Sequence, residues 1–198
     1  MTDLLNKAAN DPNFEKALQN AMLSFVCDQD ADIQDFMRNK AVAFQQRKLC
    51  SVYLLFDQDK LENGELKIEA YFTLSHKSMI SEEQMSRSKI QKYAGFKDAP
   101  TLNFVLIGHL GKWVKRQADG TYLRSEIKSS SILDYAFDII CSASELIPCR
   151  CVLVECSDVM KVRQAYERYG FSFFQNDGTH NQYVKLIPDI SPVDREIP

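Results

Sequence analysis

The run Leu102–Leu110 (LNFVLIGHL) constrains this 198-residue chain more than any other stretch. It holds no charged residue other than a histidine, and its apolar residues fall on both parities. A β-strand carries that pattern only when both of its faces are covered. The run therefore predicts a central strand in a sheet with structure packed on either side.

Around it the hydrophobic period switches between 3.6 and 2. A helical pattern covers about Asn13 to Leu23, with Phe14, Leu18 and Ala21 at helical spacing. After a short strand-like Phe25-Val26-Cys27, a second helix is expected from about Asp32 to Lys48, where Ile33, Phe36, Met37, Ala41 and Phe44 share a stripe. Ser51–Phe56 and Leu66–Leu74 read as strands, with the turn pair Asn63-Gly64 between them. The polar stretch Ser81–Gly95 reads as one exposed helix, ended by Pro100. Beyond the central strand, Lys112–Tyr122 turns at Asp119-Gly120. A helix is expected from near Ser131, which has Asp134 three residues on as in a capping box, with Ile132, Leu133, Ala136, Ile140 and Ala143 on one face. Cys151–Cys156 (CVLVEC) reads as a buried strand. Val159–Tyr169 reads as a helix striped by Val159, Val162, Tyr166 and Tyr169, with Gly170 as its stop. Phe171–Phe174 and Gln182–Ile187 complete the strands across Asn176-Asp177-Gly178, and residues 188–198 form an extended tail. This order predicts a single α/β (α+β) domain over 1–198 with a mixed sheet.

Twenty-four Lys and Arg against 27 Asp and Glu leave a net charge of −3, which gives no global attraction to nucleic acid or anionic membrane. No stretch reaches the roughly 18 apolar residues of a membrane span, and the start lacks the long apolar run of a secretory signal. A cytoplasmic protein is expected. Its six cysteines include no CxxC pair and no histidine at ligand spacing, so they read as small hydrophobes rather than zinc ligands or disulfides.

The chemistry concentrates after the central strand. Strand and following helix form a βα unit, and a helix N-terminus offers free N–H groups and partial positive charge to a phosphate. Lys112, Lys115, Arg116, Arg124 and Lys128 lie between them, against two acids. These cations fit either a polyphosphate ligand or a solvated hairpin. Trp113 fits either ligand contact or cover of the core edge; His76 and His180 read as surface residues.

The segment Val162–Phe171 (VRQAYERYGF) resembles the closing helix of the GNAT superfamily of N-acetyltransferases, usually A-x-x-F-Y-x-x-x-G-F. IGHLGKW at 107–113 resembles the strand that lines the pantetheine arm, and Ile132-Leu133-Asp134-Tyr135-Ala136 resembles the start of the acetyl-CoA-binding helix. The resemblance runs from about 50 to about 187. It implies a mixed, mostly antiparallel sheet flanked by helices, and direct transfer of an acetyl group from acetyl-CoA to a primary amine. In that reading Tyr166 is the general acid, and His109 and Glu155 are candidate bases. His109 sits at an odd offset on its strand, where only a bulge would turn it to the site. Leu110, Gly111, Lys112, Arg124, Lys128, Ser129, Ser130, Ser131 and Arg163 would hold the coenzyme, and Thr73 and Ser75 would line the acceptor cleft.

One departure marks the chain. The superfamily's phosphate loop, Q/R-x-x-G-x-G/A, aligns here on Arg124, with Ile127 and Ser129 where small residues stand. The acceptor stays open among a small molecule, a protein and an aminoacyl-tRNA. Residues 1–60 show no basic cluster beyond Arg47-Lys48, which argues against the last. A homodimer is also open. The alternative reading is a GNAT-fold protein without turnover that binds coenzyme or a regulatory partner.

Overall fold

The computed structural model describes residues 1–81 and 85–187. Eight strands, β1 (Ser51–Phe56), β2 (Ile68–Ile80), β3 (Thr101–Lys112), β4 (Val114–Arg116), β5 (Tyr122–Arg124), β6 (Cys151–Cys156), β7 (Ser172–Asn176) and β8 (Asn181–Leu186), alternate with helices. The helices are α1 (Thr2–Ala8), α2 (Pro12–Leu23), α3 (Ala31–Asp35), α4 (Ala41–Gln46), α5 (Gln58–Glu62), α6 (Arg87–Ala94), α7 (Ser129–Ser144) and α8 (Met160–Arg168). Six strands form one mostly antiparallel sheet in the order β1-β2-β3-β6-β8-β7 with one parallel pair; β4 and β5 form a separate ribbon. β1–β2, β6–β8 and β7–β8 pair antiparallel, and the contacts Thr73–His109 and Ser78–Asn103 run β2 against β3, which leaves β3 and β6, joined through α7, as the parallel pair. The chain divides into two compact units, Met1–Ser75 with Ile107–Ala136, and His76–Leu106 with the residues from Phe137 onward. β2 and β3 run through both.

In the first unit, α2 starts where Asp11 accepts hydrogen bonds from the amides of Asn13 and Phe14 and Pro12 occupies the first turn. It buries Leu18, Ala21 and Met22, which lie three and four residues apart. The helix expected over 32–48 spans Ala31–Gln46 but is broken by a π turn, Phe36–Lys40, where the Ala41 N–H reaches back five residues to the Phe36 carbonyl. Phe36 and Met37 are buried there with Phe25, Cys27, Val52, Ile68 and Tyr71. Phe25-Val26-Cys27 forms only a single bridge, Cys27 to Val114, because no partner strand continues alongside it.

Gly111 marks the tightest point of this unit. A Cβ there would lie 2.5 Å from Ile33 Cγ2 and 2.7 Å from the Tyr71 ring. Those contacts cannot relax cheaply, because Tyr71 is fully buried and its hydroxyl is bonded to the Ile33 carbonyl at 2.7 Å. Gly111→Ala is expected to destabilise the protein by about 1–3 kcal/mol, the usual range for overpacking, read as a lower urea midpoint.

In the second unit, Cys151 and Leu153 of β6, Leu102 and Phe104 of β3, Val184 of β8 and Phe174 of β7 form a core closed by Ile90 and Tyr93 of α6. Among the described residues of the stretch 81–95 the helix is Arg87–Ala94, and it is not simply exposed, since it buries Ile90 and Tyr93. With two large apolar side chains in eight residues, its periodicity was too sparse to announce a packed face. Residues 82–84 lie outside the described residues, as does the tail 188–198.

Three other expectations are corrected. β2 continues to Ile80 rather than stopping at Leu74, because β3 pairs along its polar end too, with Ser78 Oγ 2.7 Å from Asn103 Oδ1. α7 begins at Ser129, with the Ile132 N–H accepted by the Lys128 carbonyl, so Ser131 lies inside the first turn and does not cap it. On α8, Val159 and Val162 are solvent-exposed, and only the tyrosines of the expected stripe turn inward.

Candidate active site

The two units carry different parts of the predicted machinery. In the first, Val114–Arg116 and Tyr122–Arg124 pair as a hairpin that leads through a short loop into α7. The amides of Ser129, Ser130 and Ser131 have no hydrogen-bond partner among the described residues, and the first turn of α7 contains no acid. Four turns of aligned peptide dipoles end on these exposed donors. Arg124 and Lys128 are exposed beside them, Arg124 lying over the Tyr122 ring at 5.6 Å. Lys112 is half-buried, and burial, aided by nearby Arg124, pulls its ammonium below the usual lysine range.

The loop before α7 differs from a glycine-rich cradle in a definite way. The Ile127 amide is spent on the Ser125 hydroxyl at 3.2 Å, and Ser125 is itself buried. The Ile127 amide is therefore not among the donors left to a phosphate, which include those of the three serines and the two cations. Gly111 is required by packing against Ile33 and Tyr71. Trp113 covers the edge of the first core, with Lys67 over its ring at 5.4 Å.

His109 lies in the same unit, half-buried, its ring stacked on Phe36 of the π turn with centroids 3.9 Å apart. Its amide donates to Thr73 Oγ1 at 2.9 Å, and its Nδ1 stands 3.5 Å from the same oxygen. Burial lowers its pKa from the ordinary value, so folding favours the neutral ring. The unfolded chain takes up a proton near pH 6.5 that the folded one resists. Stability supplied by neutral His109 is thus complete above that pH and is lost as pH falls below it. Urea midpoints compared at pH 7 and pH 5.5 should fall more for the wild type than for His109→Gln, by at most about 1.4 kcal/mol per pH unit.

The second unit carries Tyr166 and Glu155. Tyr166 sits on α8, with Phe171 edge-on at 5.6 Å and Tyr183 at 6.4 Å. Burial, with a small contribution from Cys156, raises its hydroxyl well above the ordinary tyrosine range, so the group stays protonated. No hydrogen bond to that hydroxyl exists among the described residues. Arg163, one turn earlier, is committed internally: its Nε donates to Tyr183 Oη at 2.9 Å and its Nη1 to Asp158 at 2.8 Å.

Glu155 interrupts the apolar run of β6 and is paired. Lys77 Nζ lies 2.6 Å from its Oε1, and Gln182 Nε2 donates to the same oxygen at 2.6 Å. Strand alternation sends Glu155 and Cys156 to opposite faces of β6, Glu155 opposite Gln182 and Cys156 opposite Asn181 of β8. Lys77 and Gln182 were not foreseen. Lys77 lies in a polar stretch with no motif, and only the strand register, which sets Glu155 opposite Gln182, brings them together. Thr73 is buried and Ser75 half-buried on β2; His76 and His180 are exposed. All six cysteines are free. Among the described residues no helix is long and apolar enough to cross a membrane.

Strand order, the β3–α7–β6 crossover and the α8–β7 ending together make a GNAT-like α/β fold. Solved proteins similar to the chain include AtaTR bound with AcCoA, at 19% identity and TM-score 0.62 over 84% of this chain and 86% of that one. AtaT complexed with acetyl-methionyl-tRNA matches at 19% identity and TM-score 0.63 over 83% and 86%. A tyrosine-to-phenylalanine mutant of KacT matches at 16% identity and TM-score 0.63 over 83% and 86%. At these identities the likeness is one of fold. No family model matches the chain, and neither does any curated protein.

Proposed function

We propose that this chain is an acetyl-CoA-dependent N-acetyltransferase whose acceptor is the amine of an aminoacyl group carried on tRNA. The observation that carries the reading is Tyr166: a protonated hydroxyl without a partner among the described residues, on the helix that ends Tyr-Gly-Phe. The acceptor class is supported by AtaT, a protein of the same fold that has been solved with acetyl-methionyl-tRNA.

The residues fit the work. Arg124, Lys128 and the amides and hydroxyls of Ser129, Ser130 and Ser131 would hold the coenzyme phosphates. The β3 segment Leu110–Lys112 would run beside the pantetheine arm. Glu155 takes a proton from the acceptor ammonium, and the freed nitrogen lone pair attacks the thioester carbon. As the C–S bond breaks, Tyr166 gives its proton to the sulfur. The nitrogen loses a second proton to solvent, and the phenolate is reprotonated from water.

One observation favours a second reading, binding without turnover: the Ile127 amide, which a glycine-rich loop would offer to phosphate, is already used by Ser125. The two readings separate in one experiment. The purified chain is incubated with acetyl-CoA and bulk aminoacyl-tRNA, and acetylated aminoacyl ends and free thiol are counted, beside a thermal-shift titration with acetyl-CoA. Equal yields of acetylated ends and thiol support the proposed reaction. Stabilisation by acetyl-CoA without product supports the binding reading, and neither effect overturns both. Free thiol with acetylated polyamines or peptides in place of tRNA would move the acceptor class and keep the chemistry.

A further inference from the structure

The ion pair at Glu155 is lopsided. Both of its protein partners, Lys77 Nζ and Gln182 Nε2, hold Oε1, each at 2.6 Å. Oε2 has no hydrogen bond or ion pair among the described residues. A carboxylate kept only for structure gains by sharing donors between its oxygens, since each has lone pairs to satisfy.

The Gln182 amide is locked in this orientation. It is 1% exposed, and its nitrogen also donates to Asp177 Oδ2 at 3.2 Å, so both N–H groups are used on carboxylates. Its own oxygen is buried without a hydrogen-bond partner. Turning the amide over would aim that oxygen at two carboxylates, so the observed orientation persists at the expense of an unsatisfied acceptor. The charges are equally pointed. Among the described residues Lys77 is the single cation bonded to the cluster, against Glu155 and Asp177. Backbone N–H groups of His180 and Thr179 hold Asp177 below the usual carboxylate range, and the exposed His180 ring lies beyond it. With His180 neutral, the net charge is −1, which suits an incoming ammonium.

We propose that Glu155 works through Oε2 alone, and that Lys77 and Gln182 are positioning residues which pin Oε1 and leave Oε2 to the acceptor amine. This rests on the acetyltransferase reading above. The proton passes from the acceptor ammonium to Oε2, leaving neutral amine and a Glu155 acid that Lys77 no longer pairs with as an anion. The acid then returns its proton to solvent, resetting the pair.

The test is kcat and KM for acetyl transfer to bulk aminoacyl-tRNA, measured for wild type, Lys77→Met, Lys77→Arg and Gln182→Met. Lys77→Met and Gln182→Met should each lower kcat by about tenfold or more, with the KM for acetyl-CoA unchanged, and Lys77→Arg should restore it. A kcat that stays in place while Lys77→Met merely melts earlier would overturn the proposal and leave a structural ion pair. Absence of turnover in the wild type would instead remove the acetyltransferase reading itself. Because Lys77 is partly exposed, its variants are not expected to unfold; the acetyl-CoA thermal shift checks this directly.

Discussion

Tyr166→Phe is expected to lower acetyl transfer by about 10²–10⁴-fold, the usual contribution of a positioned acid. Phenylalanine keeps the ring, and with it the contacts to Phe171 and Tyr183, so packing should change little. The hydroxyl it deletes has no protein partner among the described residues, so no internal hydrogen bond is lost. In the proposed reaction, what the variant loses is the proton for the leaving sulfur. In a thermal-shift titration the variant should bind acetyl-CoA as the wild type does, and in a single-turnover assay it should release thiol slowly. A variant that turns over normally would show that Tyr166 is a packing residue and that the thiolate leaves unaided or by another donor.

Lys128→Glu should weaken acetyl-CoA about tenfold to a hundredfold, the worth of one lost charge-assisted hydrogen bond. The physical setting makes this variant unusually clean. Lys128 accepts the first helical hydrogen bond of α7, where a positive charge opposes the helix dipole and a negative one favours it. Reversing the charge should therefore leave the unliganded protein as stable as before, or stabilise it by about 0.3–1 kcal/mol. A cation retained where it costs helix stability is what an anion site would require. Ligand at about 100 times its Kd should stabilise the wild type by about 2.7 kcal/mol, and at equal concentration the variant should keep only about 0.4–1.4 kcal/mol of it. An undiminished shift would place the phosphates elsewhere.

Much of the frame was legible because burial imposes a period. The two-sided burial of Cys151–Cys156 and the single face of α7 follow from side-chain geometry on a strand or helix; Leu102–Leu110 is covered less fully than its composition implies, with Asn103 and Gly108 exposed. The short helices α1 and α5 were not legible. Helices of seven and five residues do not persist alone, and α1 is tied down at a distance, by the Met1 amino group on the Val52 carbonyl at 3.1 Å. The site divides the same way. Tyr166 announced itself through a local motif of spacing. The partners of Glu155 lie 78 residues before it and 27 after it, and no local pattern encodes a pairing that only register creates. Glu155 itself was visible as an acid inside an apolar run, a position that demands a partner.

The π turn at Phe36–Lys40 bears on how this protein can change over generations. One extra residue in a helical turn rotates everything after it by about 100°, since each residue advances the helix by that angle. α3 and α4 are thus two helices of different phase, and the added residue brings Phe36 onto His109 and Tyr71 while Phe44 still meets Phe36 edge-on at 5.3 Å. Deleting any one residue here would restore a regular helix and turn one half of its apolar face to water. Length in this segment is therefore held fixed more strictly than identity: substitutions can be absorbed one contact at a time, whereas a single-residue deletion displaces a whole face at once.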